Sequence, residues 1–212
     1  QEYGTYDALG YLKSVGALPY EPQEFPEVTM PVGVRGGKTD RFAATITSFE
    51  ATCGGHEAYA RPGRPIICFQ VAQDLRMARY SLHSVKGVIE TMPWCKDWIT
   101  NVTADRIDLK NNVTIAVTPP TVKSVRGFDS PVGVMDEIGV WATDLDAANP
   151  DLEIYRQLSS RQAQFRWPKL VMISSAWAKR GLLYDRWSAG TNGRKLICEF
   201  CRERPVKDCP AC

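Results

Sequence analysis

The sequence predicts a three-layer α/β domain built on a mostly parallel sheet. Three observations carry that prediction. Short apolar runs bounded by turn signals, such as residues 65–72 (PIICFQVA) and 169–173, suit strands buried on both faces. These runs alternate with longer segments whose apolar residues recur at helical spacing. Each group of residues able to do chemistry follows an apolar run, at the carboxyl end of a predicted strand, where open α/β sheets bind their ligands.

A chain of 212 residues is long enough for one such domain and a small appendage. Its 44% hydrophobic and 24% charged content is that of a folded globular chain and excludes a disordered one. A net charge of +2 is too small to argue for nucleic acid, so any DNA contact must come from a local patch or from partner subunits. No apolar run reaches the length of a membrane span and no signal-peptide pattern opens the chain, so no membrane and a cytosolic site are expected. The chain opens on Gln1 and ends on Cys212, the last member of a cysteine pattern; both ends are expected to be cuts in a longer protein. Cys53, Cys68 and Cys95 are scattered and are expected to be buried free thiols rather than a disulfide framework.

Taken in order, residues 1–27 form an N-terminal segment rich in Tyr, Pro and Gly, with a short helix expected over 6–15 and a loop over 20–23. Gln23 lies in that loop, either as a reader of an adenine edge or as a plain surface residue. A strand over 27–34 leads into the glycine-rich stretch 30–39, MPVGVRGGKT. The helix expected over 39–52 has Phe42, Ala43, Ile46 and Phe49 as its apolar face and is closed by Cys53-Gly54-Gly55. Pro62 and Gly63 make a turn over 61–64 before the buried strand 65–72. Leu75, Ala78, Leu82, Val85 and Ile89 then mark a helix over 74–90. Residues 92–98 are an aromatic connection expected to pack into the core. Strands 106–109 and 113–117 form a hairpin around Lys110-Asn111-Asn112. A loop over 118–129, a short strand over 132–135, a polar loop over 144–150, a helix over 152–163, a buried strand over 169–173 and a helix start over 181–187 follow.

Four motifs at the strand ends carry chemistry. The first is Gly33-Val34-Arg35-Gly36-Gly37-Lys38-Thr39. Backbone N–H groups of Gly33, Gly36 and Gly37 can cradle phosphate oxygens at a helix N-terminus. In the pattern G-x-x-x-x-G-K-[ST] the lysine, here Lys38, reaches the β- and γ-phosphates and the hydroxyl of Thr39 holds Mg²⁺. Val32 stands where that pattern has its first glycine. The second motif is Asp136-Glu137 after an apolar strand. Two neighbouring carboxylates there are costly without a cation, which favours Asp136 as an Mg²⁺ partner and Glu137 as the group that activates water. The third is Arg126 beside Gly127, an arginine able to reach a phosphate in its own or a neighbouring subunit, or else a surface residue paired with Asp129. Arg35 competes for the same role. The fourth is Ser174-Ser175, whose hydroxyls can bond a γ-phosphate or the attacking water and report hydrolysis, or simply turn the chain.

In chain order, phosphate loop, arginine loop, Asp-Glu, Ser-Ser, the motifs resemble the ATPase domain of the large terminase subunit of tailed bacteriophages, the motor that packs DNA into procapsids. The resemblance runs over about residues 28–187. It is carried by 33–39, Val71-Ala72-Gln73-Asp74, Ser124-Val125-Arg126-Gly127-Phe128, Met135-Asp136-Glu137-Ile138 with Trp141, and Ile173-Ser174-Ser175-Ala176-Trp177 with Lys179-Arg180-Gly181. It implies a P-loop NTPase fold of the ASCE/RecA-like kind over 28–190, using ATP and Mg²⁺. Lys38 and Thr39 would be the Walker A lysine and Mg²⁺ ligand, Asp136 and Glu137 the Walker B acid and catalytic glutamate. Ser174 and Ser175 would couple hydrolysis to movement, and Arg126 would be a finger given to the next subunit. The implied partners are double-stranded DNA, a homo-oligomeric (pentameric) ring, the portal and the small terminase subunit, in the host cytoplasm. The nuclease domain of this family has no counterpart here, so DNA cleavage is not expected of this chain. Another P-loop ATPase such as a helicase shares several of these motifs.

Residues 191–212 read as a cysteine-rich linker or the start of a following domain. Cys198-x-x-Cys201 and Cys209-x-x-Cys212 provide four thiolates in two knuckles, which suits structural Zn²⁺ in a small zinc-knuckle-like tail. A zinc-knuckle nucleic-acid-binding protein on an inactive nucleotide fold is the non-enzymatic alternative.

Overall fold

The computed structural model describes residues 26–33, 35–121, 125–141, 150–176 and 178–189. Gln23, Val34, Ser124, Trp177, the loop 142–149 and the four cysteines of the tail lie outside the described residues, and so does most of the N-terminal segment. Residues Phe25–Ser188 form one compact unit.

Among the described residues seven strands form one sheet: β1 (Glu27–Pro31), β2 (Ile66–Val71), β3 (Ile99–Val102), β4 (Arg106–Leu109), β5 (Val113–Thr118), β6 (Val132–Asp136) and β7 (Lys169–Ser174). Their spatial order is β1-β7-β6-β2-β5-β4-β3. The first five in that order run parallel, and β4 and β3 add an antiparallel meander at one edge. Helix α1 (Ala44–Cys53) is entered through a π-helical turn, Lys38–Ala43. It is followed by α2 (Leu75–Thr91), a short α3 (Ile138–Trp141), α4 (Pro150–Gln162) and α5 (Gly181–Ala189).

The strands are apolar on both faces because both faces are covered. Along β2, Ile66 and Cys68 pack with α1 and α2, while Ile67, Phe69 and Val71 pack with α3, α4 and α5. Along β7, Val171 and Ile173 face the first core and Leu170 and Met172 the second. Two cores, one on each side of a parallel sheet, make the three layers.

Most elements stand within a residue or two of their predicted ends. Strand β1 stops at Pro31 rather than at residue 34, and the weakly apolar edge strand β3 was not anticipated. The hairpin turn is as expected, with Asn112 left-handed at φ 61°. The larger correction concerns α1. Phe42 and Phe49 are exposed, and the buried side carries Ala43, Ala44, Thr47, Ser48 and Ala51. Small residues let α1 approach α2 and the sheet closely, and the hydroxyls find internal partners: Ser48 Oγ donates to Val85 O and Thr52 Oγ1 to Ser48 O. Apolar spacing therefore held for Ala43 and Ile46, which pack on the core, and failed for the two phenylalanines. Leu75 and Trp94 are likewise exposed, and Cys53 is exposed where a buried thiol was expected; Cys68 and Cys95 are buried. No helix among the described residues is long and apolar enough to cross a membrane.

Helix α2 begins where the sequence suggests because Asp74 caps it, its carboxylate accepting from Met77 N at 2.9 Å. We expect Asp74→Ala to cost about 1 kcal/mol in urea unfolding, with an unchanged m-value. A change in the m-value instead would mean that α2 is rearranged rather than merely uncapped.

Candidate active site

The register of three adjacent strands creates the site. Pro31 at the end of β1 lies beside Ser174 at the end of β7, and Ile173 lies beside Asp136 at the end of β6. The three carboxyl ends are therefore neighbours, although Pro31, Asp136 and Ser174 come from well-separated stretches of the chain.

The glycine loop leaves β1 through Val32, whose N–H continues the ladder by donating to Ser174 O at 2.9 Å. A tight turn follows, with Gly36 N donating to Gly33 O at 3.0 Å. A Cβ on Gly36 would lie 2.5 Å from Val32 Cγ1. Here is the physical reason that valine can stand in the place of the usual glycine: its side chain packs over the bare Cα of Gly36. Gly37 has φ 72°, a conformation that a side chain would strain, while Gly33 has open space around it. Arg41 N and Phe42 N both approach Gly37 O, at 2.8 and 3.3 Å, which widens the first turn into the π form often found at functional sites. Gln70, buried within β2, holds that turn by donating to Ala43 O at 3.0 Å and Thr47 Oγ1 at 2.8 Å.

Six predicted side chains meet here. Lys38 Nζ lies 3.0 Å from Glu137 Oε1 and donates to Ser175 Oγ at 3.1 Å. Thr39 Oγ1 donates to Asp136 Oδ2 at 2.6 Å. Ser174 Oγ donates to Glu137 Oε2 at 3.3 Å. Glu137 itself stands at φ 57°, uncommon for a residue with a side chain and of the kind found where a site over-determines its backbone.

Asp136 is 2% exposed, and its Oδ1 has no hydrogen-bond partner among the described residues. Burial raises its pKa above the ordinary value; the Thr39 hydroxyl opposes that rise, Glu137 adds to it and Lys38 opposes it. A buried carboxylate with one bare oxygen beside a threonine hydroxyl fits a small hard cation that takes its remaining ligands from water and phosphate, as Mg²⁺ does. Among the described residues no cluster of three or more His, Cys, Asp or Glu side chains offers an all-protein metal site.

Two predicted residues are not drawn in. Arg126 is exposed beside Gly127 at φ 86°, and among the described residues no ion pair joins it to Asp129. Arg35 sits exposed on the loop at φ 62°. Sequence reasoning assigned no role to other contributors, although Trp141 is among the residues that carry the resemblance. Trp141 Nε1 donates to Asp136 O at 3.1 Å and fixes the end of β6. Gly139 leaves room for Ser174, since a Cβ there would lie 2.8 Å from Ser174 Oγ. Asp40, next to Thr39, accepts from Ser84 Oγ at 2.9 Å and Tyr80 OH at 3.4 Å and ties the loop to α2. Gln70 left a sequence signal as the one amide within the apolar run PIICFQVA.

These features define an α/β fold whose glycine loop, acidic pair and hydroxyl pair share one end of a parallel sheet. No family model matches the sequence, and no curated protein matches it. Solved structures do share the fold. The large terminase of bacteriophage HK97 aligns with a TM-score of 0.56 at 17% identity, over 76% of this chain and 32% of that one. The large terminase ATPase domain of Thermus phage P74-26 aligns with a TM-score of 0.55 at 14% identity, over 87% of this chain and 75% of that one. An arginine-to-alanine mutant of that domain gives 0.54 at 13% identity over the same shares. The chain thus has the fold of phage large terminase ATPase domains, and it spans about a third of the HK97 protein.

Proposed function

We propose that this chain is the ATP-hydrolysing motor domain of a phage large terminase, a P-loop ATPase that drives double-stranded DNA into a procapsid. The observation that carries the reading is the convergence of Lys38-Thr39, Asp136-Glu137 and Ser174-Ser175 at three adjacent strand ends. The likeness of the fold to terminase ATPase domains supports it.

In this reading the loop N–H groups and Lys38 hold the β- and γ-phosphates of ATP. Thr39 and Asp136 would hold Mg²⁺, which would neutralise charge on the phosphate oxygens. Glu137 orients the attacking water and takes its proton. The ammonium of Lys38 rests on Glu137 and Ser175 here, so an arriving phosphate competes for it and frees the glutamate. Ser174, bonded to Glu137, passes that change to β7. In this reading Arg126, exposed on its loop, serves a neighbouring subunit in a ring, and Arg35 serves from within its own loop. The zinc tail and the reading of adenine by Gln23 belong to the same proposal and rest on sequence alone.

The test is ATP binding and turnover by the 212-residue chain and by Lys38→Ala, at high protein concentration, with and without double-stranded DNA. Lysine-dependent turnover is expected, with ATP affinity falling at least about tenfold in the variant, roughly 1.4 kcal/mol. Binding that depends on Lys38 without turnover would mark a motor that needs its ring. Wild-type protein that neither binds nor hydrolyses ATP would leave the zinc-knuckle binding protein as the better account.

A further inference from the structure

Gln70 is 1% exposed on β2, and its neighbours on the flanking strands, Val117 and Val134, are apolar core residues. Its amide is used on both sides. Nε2 donates to Ala43 O at 3.0 Å and to Thr47 Oγ1 at 2.8 Å, and Oε1 accepts from Ser81 Oγ of α2. Thr47 and Ser81 are themselves buried, so water does not compete for these bonds. Both donors end on the junction where the π turn Lys38–Ala43 becomes the α-helix α1. A π turn is rare and holds one residue more than the α-helix it enters, so it needs contacts from outside the helix to persist. Rewinding this turn as α-helix would rotate Lys38 and Thr39 by about 100° around the axis. Thr39 Oγ1, now 2.6 Å from Asp136 Oδ2, and Lys38 Nζ, now 3.0 Å from Glu137 Oε1, would both leave the site.

We propose that Gln70 is a positioning residue for nucleotide binding: it locks the loop helix in its π register, and only that register presents Lys38 and Thr39 to the strand ends. The proposal rests on the ATPase reading above. An apolar side chain of the same length would continue the core made by Val117 and Val134, but it could not hold Ala43 O or Thr47 Oγ1. Ser81 sets the direction of the amide. Its hydroxyl claims Oε1 on the α2 side and leaves both N–H bonds of Nε2 for the junction. A flipped amide would set two acceptors, Oε1 and Ala43 O, against each other. Gln70 bonds to the loop helix and to α2 and to none of the six side chains of the site. Its loss therefore weakens binding by lowering the population of the competent register. At saturating ATP and Mg²⁺ that register is selected again.

The experiment compares the full chain with Gln70→Met, Ser81→Ala and a control, Gln162→Met. Gln162 is also a buried amide, donating to Pro131 O at 3.1 Å and to Lys169 O at 2.8 Å, at the ends of β6 and β7 opposite to the ATP site. Hydrogen exchange of residues 38–47 is read without nucleotide, beside Mg²⁺-ATP affinity and, where the isolated chain turns over, kcat and KM. Gln70→Met should exchange faster over 38–47 and lose about tenfold in affinity, since each buried hydrogen bond lost is worth roughly a factor of five in such an equilibrium. KM should rise by a similar factor, with kcat nearly unchanged. Ser81→Ala, the milder change, should move exchange and affinity in the same direction by less. It should add little to Gln70→Met, because the two act through one network. Gln162→Met should keep wild-type exchange over 38–47 and wild-type affinity even where it lowers the thermal midpoint. Equal losses of affinity in Gln70→Met and Gln162→Met, or a fall in kcat at unchanged KM, would reduce Gln70 to a structural residue and overturn the proposal. Wild-type affinity in Gln70→Met, whatever its exchange, would overturn it too and leave the ATPase reading standing. If Gln70→Met does not fold, Ser81→Ala decides, and unchanged affinity there would overturn the proposal. Wild-type protein that binds no ATP would sink the ATPase reading and the positioning role with it.

Discussion

Replacing Glu137 with glutamine is expected to lower ATP turnover by about 10²–10⁴-fold, the range for loss of a general base. ATP binding should survive, because the amide keeps the size of the side chain and the Ser174 hydroxyl retains an acceptor. Binding should, if anything, tighten. Glutamine has no charge to hold Lys38, whose ammonium lies 3.0 Å from Glu137 Oε1, so phosphate no longer competes with a carboxylate. Single-turnover hydrolysis and equilibrium ATP binding read the two effects separately. A variant that hydrolyses within tenfold of wild type would make Glu137 a counter-ion of Lys38 and leave the base to be found elsewhere.

Asp136→Asn is expected to act in opposite directions on activity and stability. Its carboxylate is 2% exposed with one oxygen unpartnered, an arrangement that costs stability in the absence of a cation. The folded-state pKa is raised, first by burial, so the folded protein holds a proton that the unfolded chain releases near the ordinary value of 3.8. That contribution to stability is complete below the unfolded value and is lost as pH rises through the folded one. At neutral pH in EDTA, asparagine should therefore be more stable by about 1–3 kcal/mol, or about 2–4 °C in Tm per kcal/mol. The advantage should shrink at low pH, where the wild-type side chain is also neutral. Mg²⁺-dependent turnover should be lost together with the cation's carboxylate. A variant that melts below wild type at neutral pH in EDTA would show that Asp136 is held for folding and not reserved for a metal.

The opposing effects are expected because, on the proposed reading, a site built for phosphate and metal is poorly satisfied without them. The same holds for Glu137 at φ 57°. Such positions break local rules of propensity and burial, and this is why they were conspicuous as residue types before any fold was known.

The sequence by itself determined the layered α/β class, because strands covered on both faces must be largely apolar, and β2, β6 and β7 are written that way apart from Gln70 and their polar ends. It also determined which residues at the strand ends could do chemistry, since lysine, paired acids and paired hydroxyls are chosen for their functional groups. Only the tertiary structure decided how they meet. The placing of β7 between β1 and β6 joins three distant segments, and pairing across a sheet leaves no mark on any single strand. Tertiary packing alone also decided that α1 buries its small residues and exposes Phe42 and Phe49, because close approach of helix to sheet depends on side-chain size as well as polarity. The second-row contacts of Trp141, Gly139 and Asp40 were hidden for the same reason: each acts through a neighbour that only the folded chain provides.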